Sequence, residues 1–110
     1  MANHPTRWYS SHQEKKVARE LGGKQVANSG AAKFVAGDVV LDQWLIECKT
    51  TTKEQKTFSI KKEWLDKNKK EAFEIGKPYS ALAFDFGSGD NYYIIDEKIF
   101  KKVIEMMLTE

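Results

Sequence analysis

A chain of 110 residues, 41% of them hydrophobic and carrying a formal net charge of only +2, has the size of one compact domain, here taken as residues 1–110, and is too balanced in charge to coat nucleic acid by electrostatics alone. No apolar run approaches the ~20 residues needed to cross a bilayer, and the amino-terminal stretch has no apolar signal core, so neither a membrane partner nor secretion is expected. A single cysteine excludes an internal disulfide and suits a reducing cytoplasm.

The first predicted element is a helix starting near Ser11, where Ser11-His12-Gln13-Glu14 has the form of a capping box, and ending at Gly22-Gly23. Val17, Ala18 and Leu21 form its inward stripe. Glu14 shares that side of the helix and Glu20 does not. On local sequence Glu14 is either a third metal ligand at the edge of the stripe or only the partner of Ser11 in the cap. A short strand over Lys24-Gln25-Val26-Ala27 follows, then a loop, Asn28-Ser29-Gly30-Ala31-Ala32, small enough to approach a ligand backbone closely. It lacks the G-x4-G-K-[ST] pattern of a P-loop.

Val39 to Leu41 and Trp44 to Ile46 read as β runs joined at Asp42-Gln43. A hairpin on that turn pairs residues whose numbers sum to 85, so Leu41 faces Trp44 and Asp38 faces Glu47. Opposed side chains lie roughly 5 Å apart on one face. The strand period of two adds Lys49 to that face and turns Ile46 and Cys48 away. Two opposed carboxylates destabilise a sheet, and a divalent cation between them reverses the sign. Hard oxygen ligands suit Mg²⁺, with Mn²⁺ as substitute. A lysine beside the ion would meet the anion that it binds, most simply a phosphodiester. The flanking runs are too apolar for exposed strands, so the hairpin is expected in the middle of the sheet, where embedded charges need a reason. Cys48 points away from this face and reads as a buried small hydrophobe.

A polar stretch from Thr50 to Thr57 precedes a second helix from about Ser59 to Ile75, with Trp64, Leu65, Ala72 and Ile75 inside and Gly76 and Pro78 as its stop. Strands over Ala81 to Phe86 and Tyr92 to Ile95 are joined by Gly87-Ser88-Gly89-Asp90-Asn91. Asp96 then caps a last helix with the apolar stripe Ile99, Phe100, Val103, Ile104 and Met107. The fold class is therefore α/β, in which helices flank a mixed central sheet. Lys15, Lys16, Arg19, Lys24 and Lys33 lie near the acids in sequence. Lys61, Lys62, Lys67, Lys69 and Lys70 form a second basic group, which is either a solvated helix face or a phosphate contact. His4 and His12 have no catalytic partner, and no Ser-His-Asp or Cys-His set is visible.

The order αβββαβ with Glu14, Gly37-Asp38 and Glu47-Cys48-Lys49 resembles the PD-(D/E)XK nuclease superfamily over nearly the whole chain. Within it, the chain is most similar to the archaeal-type Holliday junction resolvases, including phage-borne forms. Gly37 stands where the superfamily name has Pro, a common variant that leaves the ligands untouched. The resemblance implies a restriction-endonuclease-like core and metal ligation by Glu14, Asp38 and Glu47. It also implies that Lys49 acts at the scissile phosphate and that Ser29 lies close to the cleaved strand. Lys15, Lys16, Arg19, Lys24, Lys33, Lys61 and Lys62 would then contact DNA. The implied activity is Mg²⁺-dependent hydrolysis of branched DNA, the four-way junction, leaving a 5′-phosphate and a 3′-hydroxyl. Cutting two symmetric strands calls for a homodimer. A nuclease of similar core acting on duplex or flapped DNA is one alternative, and a DNA-binding protein that retains the fold is another.

Overall fold

A computed structural model of the protein describes residues 6–26 and 38–109. Ser29, Lys33 and Gly37, and the end of the first predicted strand at Ala27, lie outside the described residues, as does His4. Among the described residues, three helices, α1 (Thr6–Leu21), α2 (Lys62–Glu74) and α3 (Glu97–Leu108), accompany five strands: β1 (Lys24–Gln25), β2 (Asp38–Val40), β3 (Trp44–Thr50), β4 (Tyr79–Asp85) and β5 (Asn91–Ile94). The strands form one sheet in the order β1-β2-β3-β4-β5. Only β3 and β4 run parallel. A parallel pair needs a long crossover, and α2 supplies it. The protein is thus a mixed α/β fold, and among the described residues no helix is long and apolar enough to cross a membrane.

The β2–β3 hairpin has the register that its two-residue turn dictates. Asp38 pairs with Glu47, Val39 with Ile46 and Val40 with Leu45. The Leu41 N–H closes the turn on the Trp44 carbonyl at 2.9 Å. Alternation along β3 then splits the core into two layers. On one face Val39, Ile46, Ala81 and Ala83 pack with Val17 of α1, and Ala18, Trp44 and Cys48 flank them. On the other face Leu45 and Leu82 are fully buried beneath α2, whose Ala72 is also buried. Two buried amides lock these layers. Gln13 Nε2 donates to the carbonyls of Lys49 (2.8 Å) and Ala83 (3.3 Å) and to Asn91 Oδ1 (2.9 Å). Asn68 Nδ2 donates to the carbonyls of Leu45 (3.2 Å) and Ala81 (3.0 Å), tying α2 across the parallel pair.

Several elements differ from their sequence reading. α1 begins at Thr6, so Ser11 lies inside the helix and the S-x-x-E pattern caps nothing. The earlier start is supported by Trp8, whose ring stacks on His12 one turn later with centroids 5.0 Å apart. Leu21 is exposed at the helix end instead of facing inward. Gly22, at φ 74°, reverses the chain there, and Gly23 N–H caps the Ala18 carbonyl at 2.8 Å. α2 starts at Lys62, not Ser59, because the chain before it is extended and packs Phe58 among Trp64, Phe84 and Phe86. β4 begins two residues before its predicted start, since pairing with β3 recruits Tyr79 and Ser80. Asp96 does cap α3, accepting from Ile99 N–H at 2.8 Å. The stripe behind that cap is not a core stripe, because only Ile99 is buried and Phe100, Ile104 and Met107 are exposed.

Candidate active site

Asp38, Glu47 and Lys49 share the α2 face of the sheet. Asp38 starts β2 at 3% exposure, directly opposite Glu47. Lys49 Nζ lies 3.1 Å from Glu47 Oε2 and 4.4 Å from the centre of the Trp64 ring. Lys61 approaches the same ring at 5.8 Å. The indole thus holds the Lys49 ammonium by a cation–π contact while the Lys49 and Glu47 side chains remain partly open to solvent. Asp38 Oδ2 is buried without a hydrogen-bond partner among the described residues. A buried carboxylate oxygen of that kind normally costs several kcal/mol unless something binds it.

The electrostatics follow from this placement. Burial, then Glu47, then Glu71 and Glu14, push the Asp38 carboxyl from 3.8 up to about 7, and Lys67 opposes the shift. Glu71 is itself raised, first by burial and also by Glu47 and Glu74, while Lys67 pulls it down. Burial pushes the Cys48 thiol up, and Glu14, Asp38 and Glu47 add to the effect, which disfavours the thiolate.

Glu14, the third ligand that the resemblance implies, is close enough for its charge to raise the Asp38 carboxyl. α1 packs on the Val39–Ile46 face, and Glu14 Oε1 accepts from Gln25 Nε2 at 3.4 Å beside the edge strand. The acid that α2 carries toward Asp38 and Glu47 is Glu71, which the sequence reading missed. Its signal was its position, seven residues after Trp64 and next to the buried Ala72 on the inner side of α2. Among the described residues, no three His, Cys, Asp or Glu side chains are gathered closely enough to hold a metal ion. The chemistry of Asp38 and Glu47 fits a hard cation nonetheless, because two opposed carboxylates and one orphaned oxygen are stabilised by it.

The basic candidates divide between the two faces. Lys15 and Arg19 are exposed on α1, Lys24 is exposed on β1, and the Lys16 ammonium donates to the Gly89 carbonyl. On the α2 side, Lys61 stands over Trp64, and Lys62 pairs with Asp66 at 2.9 Å. Lys49 is therefore the cation nearest the acidic pair, and Lys67 is close enough for its charge to lower both Asp38 and Glu71.

No protein-family model, curated protein or solved structure matches the chain.

Proposed function

We propose that the chain is a metal-dependent DNA endonuclease built on a restriction-endonuclease-like core, and that it cuts four-way junctions as a homodimer. The single observation that carries this reading is the in-register Asp38–Glu47 pair, with a buried carboxylate oxygen unpartnered among the described residues and a lysine 3.1 Å from the second acid. A structural sheet gains nothing from such a pair, whereas a cation-binding site requires it.

Asp38 and Glu47 would hold Mg²⁺ or Mn²⁺. The resemblance offers Glu14 as the third ligand, and the packing of α2 offers Glu71. When bound, the ion would polarise the phosphate and lower the pKa of a bound water. The chain's own residues account for the rest. Lys49 stabilises the charge that builds on the phosphate oxygens, with its position fixed by Glu47 and Trp64. Lys61 and Lys67 would meet the backbone phosphates on the same face. A domain this small recognises a junction by shape and phosphate contact, since few elements remain for reading bases. Binding should therefore weaken steeply with salt.

The test compares a four-way junction with a linear duplex of the same sequence at fixed salt, with Mg²⁺, Mn²⁺ or EDTA. Metal-dependent cutting of the junction, abolished in Asp38→Asn and Lys49→Ala, is the expected result. Equal cutting of both DNAs would leave the general nuclease as the better account. DNA binding without metal-dependent cutting by the wild-type chain would leave the binding protein.

A further inference from the structure

The row of side chains that begins at Lys49 continues across the sheet as aromatic rings. Lys49 pairs with Phe84 of β4 and Phe84 pairs with Tyr92 of β5, so the three side chains share the α2 face on adjacent strands. Strands lie ~4.8 Å apart, which sets Phe84 one spacing and Tyr92 two spacings, roughly 10 Å, from Lys49. Among the described residues, Phe58, Trp64 and Phe86 join these two rings in one continuous group of contacts. The group is ordered. Phe84 and Tyr92 are tilted by only 31° from one another, with centroids 5.7 Å apart. Phe86 meets both edge to face, at 74° and 76°, and so braces their planes. At the other end of the row, Lys49 and Lys61 stand over the Trp64 ring. None of these rings is fully buried, and Tyr92 is 53% exposed. The fully buried positions on this face are filled by Leu45 and Leu82 instead.

We propose that Phe84 and Tyr92 form a stacking platform for an unpaired base of a DNA strand whose phosphate rests at Lys49. Charge and distance together select this occupant. The cationic end of the row, Lys49 and Lys61, suits a phosphate, and the uncharged end offers ring faces, the two features that single strands of nucleic acid require of a binding surface. The rings begin one strand spacing from the Lys49 backbone, so a strand held there carries its neighbouring bases over them. A base inside a duplex has both faces covered by its neighbours and cannot lie on Tyr92. The platform therefore selects a strand that is unpaired beside the site. The proposal rests on the nuclease reading for the phosphate at Lys49 alone, since stacking needs neither a metal ion nor cleavage.

The test is binding in EDTA, which suppresses metal-dependent cutting. One DNA is a duplex with a single-stranded arm, and the other is the same sequence fully paired. Both carry 2-aminopurine at successive positions of the arm next to the fork. The wild-type chain should bind the armed DNA more tightly, and the fluorescence of the unpaired 2-aminopurine should fall as it stacks. Tyr92→Leu keeps an apolar side chain and removes the ring. It should weaken binding of the armed DNA about tenfold, abolish the quench and leave duplex binding unchanged, with an unaltered circular dichroism spectrum. Tyr92→Trp should retain both the affinity and the quench. Tyr93→Leu is the control: Tyr93 is the next residue of β5, is 41% exposed and pairs with Ala83 of the opposite core layer, so this variant should bind as wild type. Wild-type affinity in Tyr92→Leu, an equal loss on both DNAs, or the same loss in Tyr93→Leu would overturn the inference. So would a wild-type chain that binds the two DNAs alike without a quench. A wild-type chain that quenches the arm yet cuts no DNA in Mg²⁺ would uphold the platform and overturn the nuclease reading alone.

Discussion

Replacing Asp38 by Asn should make the protein more stable at neutral and alkaline pH, and the gain should vanish in acid. Below about pH 4 the native carboxyl is protonated in both folded and unfolded chains. As pH rises, the unfolded chain releases that proton near 3.8, whereas the folded chain holds it until about 7. Stability attached to this group is therefore complete below the unfolded value and is lost between the two, then levels off. At ~1.4 kcal/mol per pH unit, the span corresponds to about 4 kcal/mol, a large share of the ~5–15 kcal/mol that holds a small domain together. Asparagine does not titrate and escapes this loss. Constant differences between an amide and a neutral carboxyl, including any unpaired N–H, cancel when the variant and the wild type are compared across pH. Urea denaturation in EDTA at a series of values from about pH 4 to pH 8 reads the quantity directly. The stability difference should grow by about 4 kcal/mol over that range, and excess Mg²⁺ at pH 8 should narrow it by stabilising the wild type alone. A pH-independent difference would refute the reasoning, since it would mean that Asp38 ionises freely in the folded state.

The two acids competing for the third position give a second test: Glu71→Gln should cut junction cleavage at least tenfold and lower the Asp38 pKa, which isotope-edited NMR of the carboxyl would follow. Glu14→Gln should change both less, because its charge raises Asp38 less than that of Glu71 and its carboxylate accepts from Gln25, and the reverse ranking would restore the ligand set that the resemblance implies. Asn68→Ala withdraws the donor from two buried carbonyls and should cost roughly 2–4 kcal/mol in urea denaturation, with the α2 amides losing hydrogen-exchange protection first. Gly23→Ala would push a methyl group into Leu41 Cδ2 and to 2.8 Å from the Val40 carbonyl, which should lower the stability by ~1–3 kcal/mol. A neutral outcome would show that the α1–β1 corner yields.

What could be read from the chain alone was whatever depends on neighbours in sequence. The two-residue turn at Asp42-Gln43 sets the β2–β3 register, so the opposition of Asp38 to Glu47 follows from counting. Gly22 ends a helix because it tolerates a positive φ, and Asp96 starts one because its side chain reaches Ile99 N–H. The failures share one cause. A helical wheel states which side of its own helix a residue occupies, but not which face of the sheet that helix covers. The face was decided by the parallel step from β3 to β4, whose crossover laid α2 over Leu45 and Leu82. That placement brought Glu71 toward Asp38. The long first helix and the buried amides of Gln13 and Asn68 are equally tertiary, since each satisfies carbonyls tens of residues away. The apolar stripe of α3 was plain in the sequence. Only the packed structure shows that the body ends beneath its first turn, because burial is a property of what stands opposite a side chain and not of the side chain itself.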